Sequence, residues 1–304
     1  KAIDKIKADG TDLIITVDNG ISSIEEAEYI YSLGMQLIVT DHHQIGENLP
    51  RAEAVINPHR EDNEIEFRDF AGVGVAFKLA CALYDGDVED LLEDYADYVT
   101  IGTIGDMVPL LNENRAIVKA GLKLINADAK IGISALKKST NSKAEHFSAT
   151  DVAFQICPRI NAAGRMDTAN LAVDLLTCED NEIAEYKAEQ LNLENTHRHE
   201  VEEKIDKDIA EIMANDRAYQ TDRVIVVAGH NYHKGVIGIC AAHLVELYSK
   251  PAIVIGIDDE GNATGSARSI DGFNIFEAIS SCSDILTHFG GHPLAAGKTI
   301  FKNE

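Results

Sequence analysis

Residues 13–43 carry the pattern that most limits what this chain can fold into. Leu13-Ile-Ile-Thr-Val17 is an apolar, partly β-branched run that ends on Asp18, and Gln36-Leu-Ile-Val-Thr40 runs into Asp41-His42-His43. Between them, Ser22-Ser23-Ile24-Glu25-Glu26 offers a helix start with acids in its first turn, Ser23 and Glu26 standing at capping-box spacing. Gly34 takes the usual place just past a helix end. A strand-helix-strand unit of this length predicts a parallel pair joined by a right-handed crossover. Each strand then delivers a metal-type ligand at the carboxyl edge of a parallel sheet, the edge where open α/β sheets bind ligands.

The alternation continues. Asp9-Gly10 reads as the turn between an opening amphipathic helix and the first strand. Residues 52–57 read as a third strand, and helices are predicted over about 70–85, 88–102 and 114–126. Pro158-Arg-Ile-Asn-Ala-Ala-Gly-Arg-Met166 forms a compact motif region. Residues 180–216 are polar and free of Gly and Pro, which predicts a long charged helix of up to ~55 Å. A second α/β unit follows, with strands near 224–228, 251–255 and 262–268 and a helix opening at Gly235. The expected class is therefore α/β, in two domains: residues 1–178 around a parallel sheet, a connecting helix over 179–217, and a smaller α/β domain over 218–304.

Composition narrows the function. At 304 residues the chain is long enough for two domains, and no apolar run approaches the ~20 residues of a membrane span. A net charge of −24 disfavours binding nucleic acid through a broad basic surface. It is compatible with phosphates neutralised locally by metal ions and a few arginines. Cys81, Cys157, Cys178, Cys240 and Cys282 are scattered, so no thiolate metal motif is present. Buried, reduced thiols and a cytoplasmic location are expected.

Asp18, Asp41, His42, His43 and Asp106 offer oxygen and imidazole donors without thiolate, a set suited to Mn²⁺ or Mg²⁺. Asp106 lies in Ile101-Gly-Thr-Ile-Gly-Asp106, where glycines flanking an apolar pair place a carboxylate at an element's end. Two close cations at such a site would clamp a phosphate and lower the pKa of a bridging water. Arg159, Arg165 and Arg268 present forked donors for phosphate, with Ser266 adding a hydroxyl. Glycine turns, one over Gly265-Ser-Ala-Arg-Ser269 and one at Gly290-Gly291 beside His292, are expected to let backbone amides approach an anion.

These residues carry a resemblance. Val17-Asp18-Asn-Gly20, Asp41-His42-His43 and Gly105-Asp106 resemble motifs of the DHH phosphoesterase superfamily. The 158–166 segment, His233-Lys-Gly-Val-Ile-Gly-Ile239, Gly265-Ser-Ala-Arg-Ser269 and Phe289-Gly-Gly-His-Pro-Leu-Ala-Ala-Gly297 resemble its RecJ branch and that branch's DHHA1 domain. The resemblance implies a DHH domain and a DHHA1 domain joined by the long helix. It implies a single-stranded-DNA-specific exonuclease working from the 5′ end with Mn²⁺ or Mg²⁺, in DNA recombination and repair. Single-strand-binding protein and a helicase would be partners. Asp18, His42 and Asp106 would ligate metal, Asp41 would support the cluster, and His43 would face the scissile phosphate. Arg159, Asn161, Arg165, Ser266, Arg268, Gly290, Gly291 and His292 would bind the strand.

The family's first motif is expected several tens of residues before the Asp18 strand, where only seventeen residues stand. Its ligands and a C-terminal OB-type domain are thus expected to be missing, with at most one ion held here instead of two. Two other readings stay open. One is a DHH enzyme for very short oligonucleotides, 3′-phosphoadenosine phosphate or cyclic dinucleotides. The other is a non-catalytic DHH-fold scaffold, against which the retained ligand set argues.

Overall fold

The computed structural model describes residues 1–127 and 129–301. The chain opens on α1 (Ala2–Ala8), turns at Gly10, whose φ of 84° favours glycine, and enters β1 (Leu13–Val17). α2 (Ile24–Ser32) leads to β2 (Gln36–Thr40), and β3 (Ala54–Ile56) completes a parallel sheet in the order β1-β2-β3. Ala27 and Ile30 of α2 pack with Met35, Leu37 and Val39, and Ile3 and Ile6 of α1 join them. The expected capping box at Ser23 does not form. Ser23 is the N-cap of α2, but its backbone (φ −86°, ψ 60°) departs from the extended geometry of a capping residue and its side chain makes no cap bond.

α3 (Gly72–Leu83), α4 (Val88–Gly105) and α5 (Asn112–Ala127) follow, close to the predicted helices. Phe77, Leu91, Val99 and Ile117 form their shared core. Gly121 lets α5 approach α4, since a Cβ there would lie 2.0 Å from the Ala96 carbonyl oxygen. α6 (Ile131–Ser139), α7 (Ala149–Asp151) and a π-helical turn over Val152–Ile156 extend this helical layer. These elements belong to a unit made of Lys1–Pro158 and Leu175–Glu185.

The second unit comprises Arg159–Asp174 and Tyr186–Glu304. α8 (Cys157–Met166) and α9 (Asn170–Leu176) precede the 35-residue α10 (Asn181–Asn215). After α11 (Ala218–Thr221) come β4 (Ile225–His230), α12 (Ile237–Tyr248), β5 (Ala252–Ile257) and β6 (Ala263–Arg268). α13 (Ile275–Ser280), β7 (Leu286–His292) and β8 (Ala295–Phe301) complete a five-stranded sheet of order β4-β5-β6-β8-β7. β4 and β5 are parallel and the other pairs antiparallel. Ile205, Ile209 and Met213 of α10 pack with Ile225, Val227, Cys240 and Leu244 in its main core.

Two sequence expectations need correction. The segments Gly265–Ser269 and Gly290–His292 were expected to be turns, yet Gly265–Arg268 lies in β6 and Gly290–His292 in β7. Glycine clusters read as turns, but here they sit at irregular ladder registers between Gly265 and Ser266 and before Gly290. The cysteines are all unpaired, but only Cys157 and Cys240 are buried and Cys282 is exposed. Among the described residues no helix is long and apolar enough to cross a membrane.

Candidate metal centre and anion-binding face

Both strand-end carboxylates are held by the sheet itself. The ladder runs one step past the strands: the Asp18 amide donates to the Thr40 carbonyl (3.1 Å) and the Asp41 amide to the Ile56 carbonyl (3.0 Å). Fully buried Thr40 donates its hydroxyl to the Thr16 carbonyl at 2.7 Å, tying the two strand ends together. Asp18 then enters the left-handed region (φ 64°), a conformation that short polar side chains tolerate. Asp106 arrives from another element, as the C-cap of α4.

The three side chains converge. His42 Nε2 lies 3.0 Å from Asp18 Oδ1 and 3.4 Å from Asp106 Oδ2. That nitrogen is buried and makes no properly directed hydrogen bond to either oxygen. Contact with Asp18 raises the His42 pKa against the effect of burial, with the charges of Asp106 and Asp41 adding to it. Burial raises the Asp106 pKa, and the neighbouring Asp18 charge reinforces it against the pull of His42 and His43. Among the described residues no Lys or Arg pairs with either carboxylate. Asp106 also ends a helix, where the backbone dipole favours a cation over an anion. An unsatisfied imidazole nitrogen between two carboxylates, at a helix C-terminus, is a donor set that fits a divalent ion.

Asp41 has a different task. Its side chain is 1% exposed. Oδ2 accepts the Ile21 amide (2.9 Å), and Oδ1 accepts the amides of His42 (2.8 Å) and His43 (3.2 Å) and faces His43 Nδ1 at 2.7 Å. Burial alone would raise its pKa, but these donors outweigh it and hold the carboxyl below the usual range. With its oxygens so engaged, Asp41 orients the loop. The His43 proton belongs on Nδ1, leaving Nε2 at the outer end of the ring. Asn57, buried at the end of β3, donates to the His43 carbonyl (3.0 Å) and braces the same loop. Sequence reading missed Asn57; its place directly after a strand at the ligand-bearing edge was the available signal.

The second unit gathers positive groups. Arg159, Asn161 and Arg165 lie on α8, and Arg165 Nη1 donates to the Gly235 carbonyl at 3.2 Å. Arg268 Nη1 donates to Ser266 Oγ (3.3 Å) and the Ala267 carbonyl (2.8 Å). A Cβ at Gly238 would fall 2.9 Å from Ser266 Oγ and 3.0 Å from Arg268 Nη2, so the start of α12 lies directly over these groups. Burial, with Arg165 beside it, lowers the Arg268 pKa; burial and Arg198 do the same to Arg165. Strand pairing aligns Ser266 with Gly297 and Gly290, and Arg268 with Ala295 and His292. Paired residues share a sheet face, so Ser266, Arg268, Gly290 and His292 line one face, with β6 and β7 about 10 Å apart. Arg159 donates through Nε to Asn192 Oδ1 at 3.0 Å. The contribution of the α12 start was not read from the sequence, although Gly235 and Gly238 mark it.

A second carboxylate-imidazole group, Glu202, Asp206 and His243, is also found in this unit. His243 Nδ1 lies 2.8 Å from Asp206 Oδ2, its Nε2 lies 3.5 Å from Glu202 Oε1, and Arg198 Nη1 lies 2.6 Å from Glu202 Oε2. Here Glu202 already has a cationic partner in Arg198.

The two parts of the chain match known domains. The model of the DHH family, N-terminal domain, matches residues 2–103, and that of the DHHA1 domain matches residues 221–304. The crystal structure of exonuclease RecJ bound to manganese superposes with a TM-score of 0.79 at 33% identity, over 98% of this chain and 73% of that one. The chain belongs to the RecJ family. RecJ in complex with Mn²⁺ from Thermus thermophilus gives a TM-score of 0.84 at 33% identity, over 98% of this chain and 44% of that one. The single-stranded-DNA-specific exonuclease RecJ of Bacillus subtilis (strain 168) is 44% identical over 99% of this chain and 38% of its own length. That of Salmonella typhimurium (strain LT2) is 36% identical over 99% and 55% respectively. The chain thus spans about half or less of the length of these curated RecJ relatives. The expected α/β class, with a parallel sheet and a second α/β unit, is the RecJ fold.

Proposed function

We propose that this chain carries the nuclease core of a metal-dependent exonuclease that hydrolyses phosphodiester bonds of single-stranded DNA from the 5′ end, in DNA recombination and repair. The observation that carries this reading is the buried, unsatisfied Nε2 of His42 set between Asp18 and Asp106 at the carboxyl edge of the parallel sheet. Family membership supports the substrate, since its relatives are named single-stranded-DNA-specific exonucleases. In the same reading the protein acts in the cytoplasm, with single-strand-binding protein and a helicase as partners.

Asp18, His42 and Asp106 would hold Mn²⁺ or Mg²⁺. A divalent ion there would polarise the phosphoryl oxygen and make bound water acidic enough to attack at neutral pH. His43, fixed through Nδ1 by Asp41, turns Nε2 toward the scissile phosphate, where it serves as a donor to the phosphate or an acceptor from water. Arg165, Arg268 and Ser266, with the amides opening α12, take a phosphate of the strand, as forked guanidinium donors and a helix start do together. Arg159, Asn161, Gly290, Gly291 and His292 complete the set proposed to contact the strand.

The test is a substrate series assayed with Mn²⁺. Mononucleotides should be released in order from the 5′-phosphorylated end of a long single strand, and duplex should be spared. Turnover of dinucleotides with none of long strands would move the chain to the short-oligonucleotide class. Metal binding without turnover of any substrate would favour the scaffold reading.

A further inference from the structure

Asp18 needs its carboxylate aimed at His42, yet it sits on an exposed turn at the end of β1, and among the described residues its ion-pair partner is His42 alone. What bounds it on another side is Gly72, the first residue of α3. A Cβ built at Gly72 would lie 2.3 Å from Asp18 Oδ1, 2.4 Å from its Cβ and 2.5 Å from its Cγ, distances that real Cβ atoms essentially never show. The neighbour is the ligand itself, and its backbone is already committed to the sheet ladder through the Asp18 amide. The side chain cannot move aside without leaving His42.

The backbone at Gly72 does not call for glycine. Its φ lies outside the left-handed range, and the preceding Ala71 has ordinary extended angles (φ −72°, ψ 162°). Glycine is also a poor helix residue. The need is for space, and the space is filled by the Asp18 carboxylate. The 12-residue α3 begins here, so its partly positive N-terminal end faces that carboxylate. Two residues on, the nearest atoms to a Cβ at Gly74 would be those of the Phe70 side chain, with Cδ1 at 3.2 Å, and not those of a proposed metal ligand.

We propose that Gly72 is a positioning residue for the metal centre: it leaves the recess in which Asp18 is held toward His42, and the start of α3 steadies the carboxylate there. The inference rests on the reading of Asp18, His42 and Asp106 as a divalent-cation site.

The experiment titrates the chain with Mn²⁺, following free ion by electron paramagnetic resonance, and records thermal melts by circular dichroism. Gly72→Ala should weaken Mn²⁺ binding at least about tenfold, the usual scale for losing a group that orients a ligand. Gly74→Ala should leave it within about twofold of the parent. Gly72→Ala should also lower the melting temperature, and adding Asp18→Gly, which suits the left-handed backbone and removes the obstructing side chain, should recover that loss. Unchanged Mn²⁺ affinity in Gly72→Ala would overturn the proposal. So would equal weakening by Gly74→Ala, or failure of Asp18→Gly to restore the melt. A parent chain that binds no Mn²⁺ would overturn the metal reading itself, and the melts of the 72/18 pair would still report on the contact.

Discussion

Two clusters in this molecule use the same residue types and leave them in opposite states. At the edge of the first sheet, Asp18 and Asp106 face His42 Nε2, which is buried and satisfied by neither, and no basic side chain among the described residues neutralises the acids. Between α10 and α12, Glu202, Asp206 and His243 also lie close together, but Arg198 sits on Glu202 and both nitrogens of His243 face carboxylates. Carboxylates and an imidazole within ligand distance therefore do not define a metal site. What separates the two is Arg198 on Glu202: among the described residues no such side chain pairs with the first cluster, which is why the ion is proposed there. In the second unit, burial together with a neighbouring guanidinium lowers the pKa of both Arg165 and Arg268.

The largest effect should come from the open cluster. Asp106→Ala removes a proposed ligand, and the loss of several kcal/mol of metal assistance should cut turnover by on the order of 10³-fold at 1.4 kcal/mol per tenfold. Single-turnover assays on labelled single strands should show this with strand affinity largely kept. Arg198→Ala should act on the closed cluster through stability. It leaves the mostly buried Glu202 short of a partner, and urea unfolding should show a loss of about 3 kcal/mol, with Mn²⁺ affinity unchanged. Arg268→Ala should weaken binding of a 5′-phosphorylated strand by about 1.5–3 kcal/mol, the worth of a charged hydrogen bond, measured by fluorescence anisotropy. The loss should be much smaller for a 5′-hydroxyl strand; equal losses would reduce Arg268 to a general backbone contact. The smallest effect should be that of Asp206→Ala. A partly exposed pair is worth up to about 1 kcal/mol, and Mn²⁺ affinity should not move. A drop in Mn²⁺ affinity on this last change would break the contrast between the clusters.

The parallel sheet and the acids and imidazoles at its edge were legible because the strand-helix-strand pattern and the Asp18 and Asp41-His42-His43 strand ends lie within 31 consecutive residues, 13 to 43. A parallel crossover fixes where such ends must fall. Asp106 was legible as a carboxylate at an element's end, though not as the C-cap of a helix pointing its negative pole at the site. What stayed hidden depends on contacts distant in sequence. Nothing local to Gly72 says that Asp18 fills the space beside it, and nothing local to Gly238 says that Arg268 does. The glycines of β6 and β7 were read as turns because local propensity favours that, while a mixed sheet absorbs them at irregular registers. The Glu202–Asp206–His243 cluster was invisible for the same reason, its members coming from two helices, with Asp206 and His243 37 residues apart.

Asp18, His42 and Asp106 are proposed to form the divalent-cation site. Crystals of the chain grown with Mn²⁺ and measured at the manganese absorption edge test it directly. An anomalous peak is expected bounded by Asp18 Oδ1, His42 Nε2 and Asp106 Oδ2, with none at Glu202, Asp206 and His243. A peak at the second cluster with none at the first, or no peak at either, would contradict the proposal.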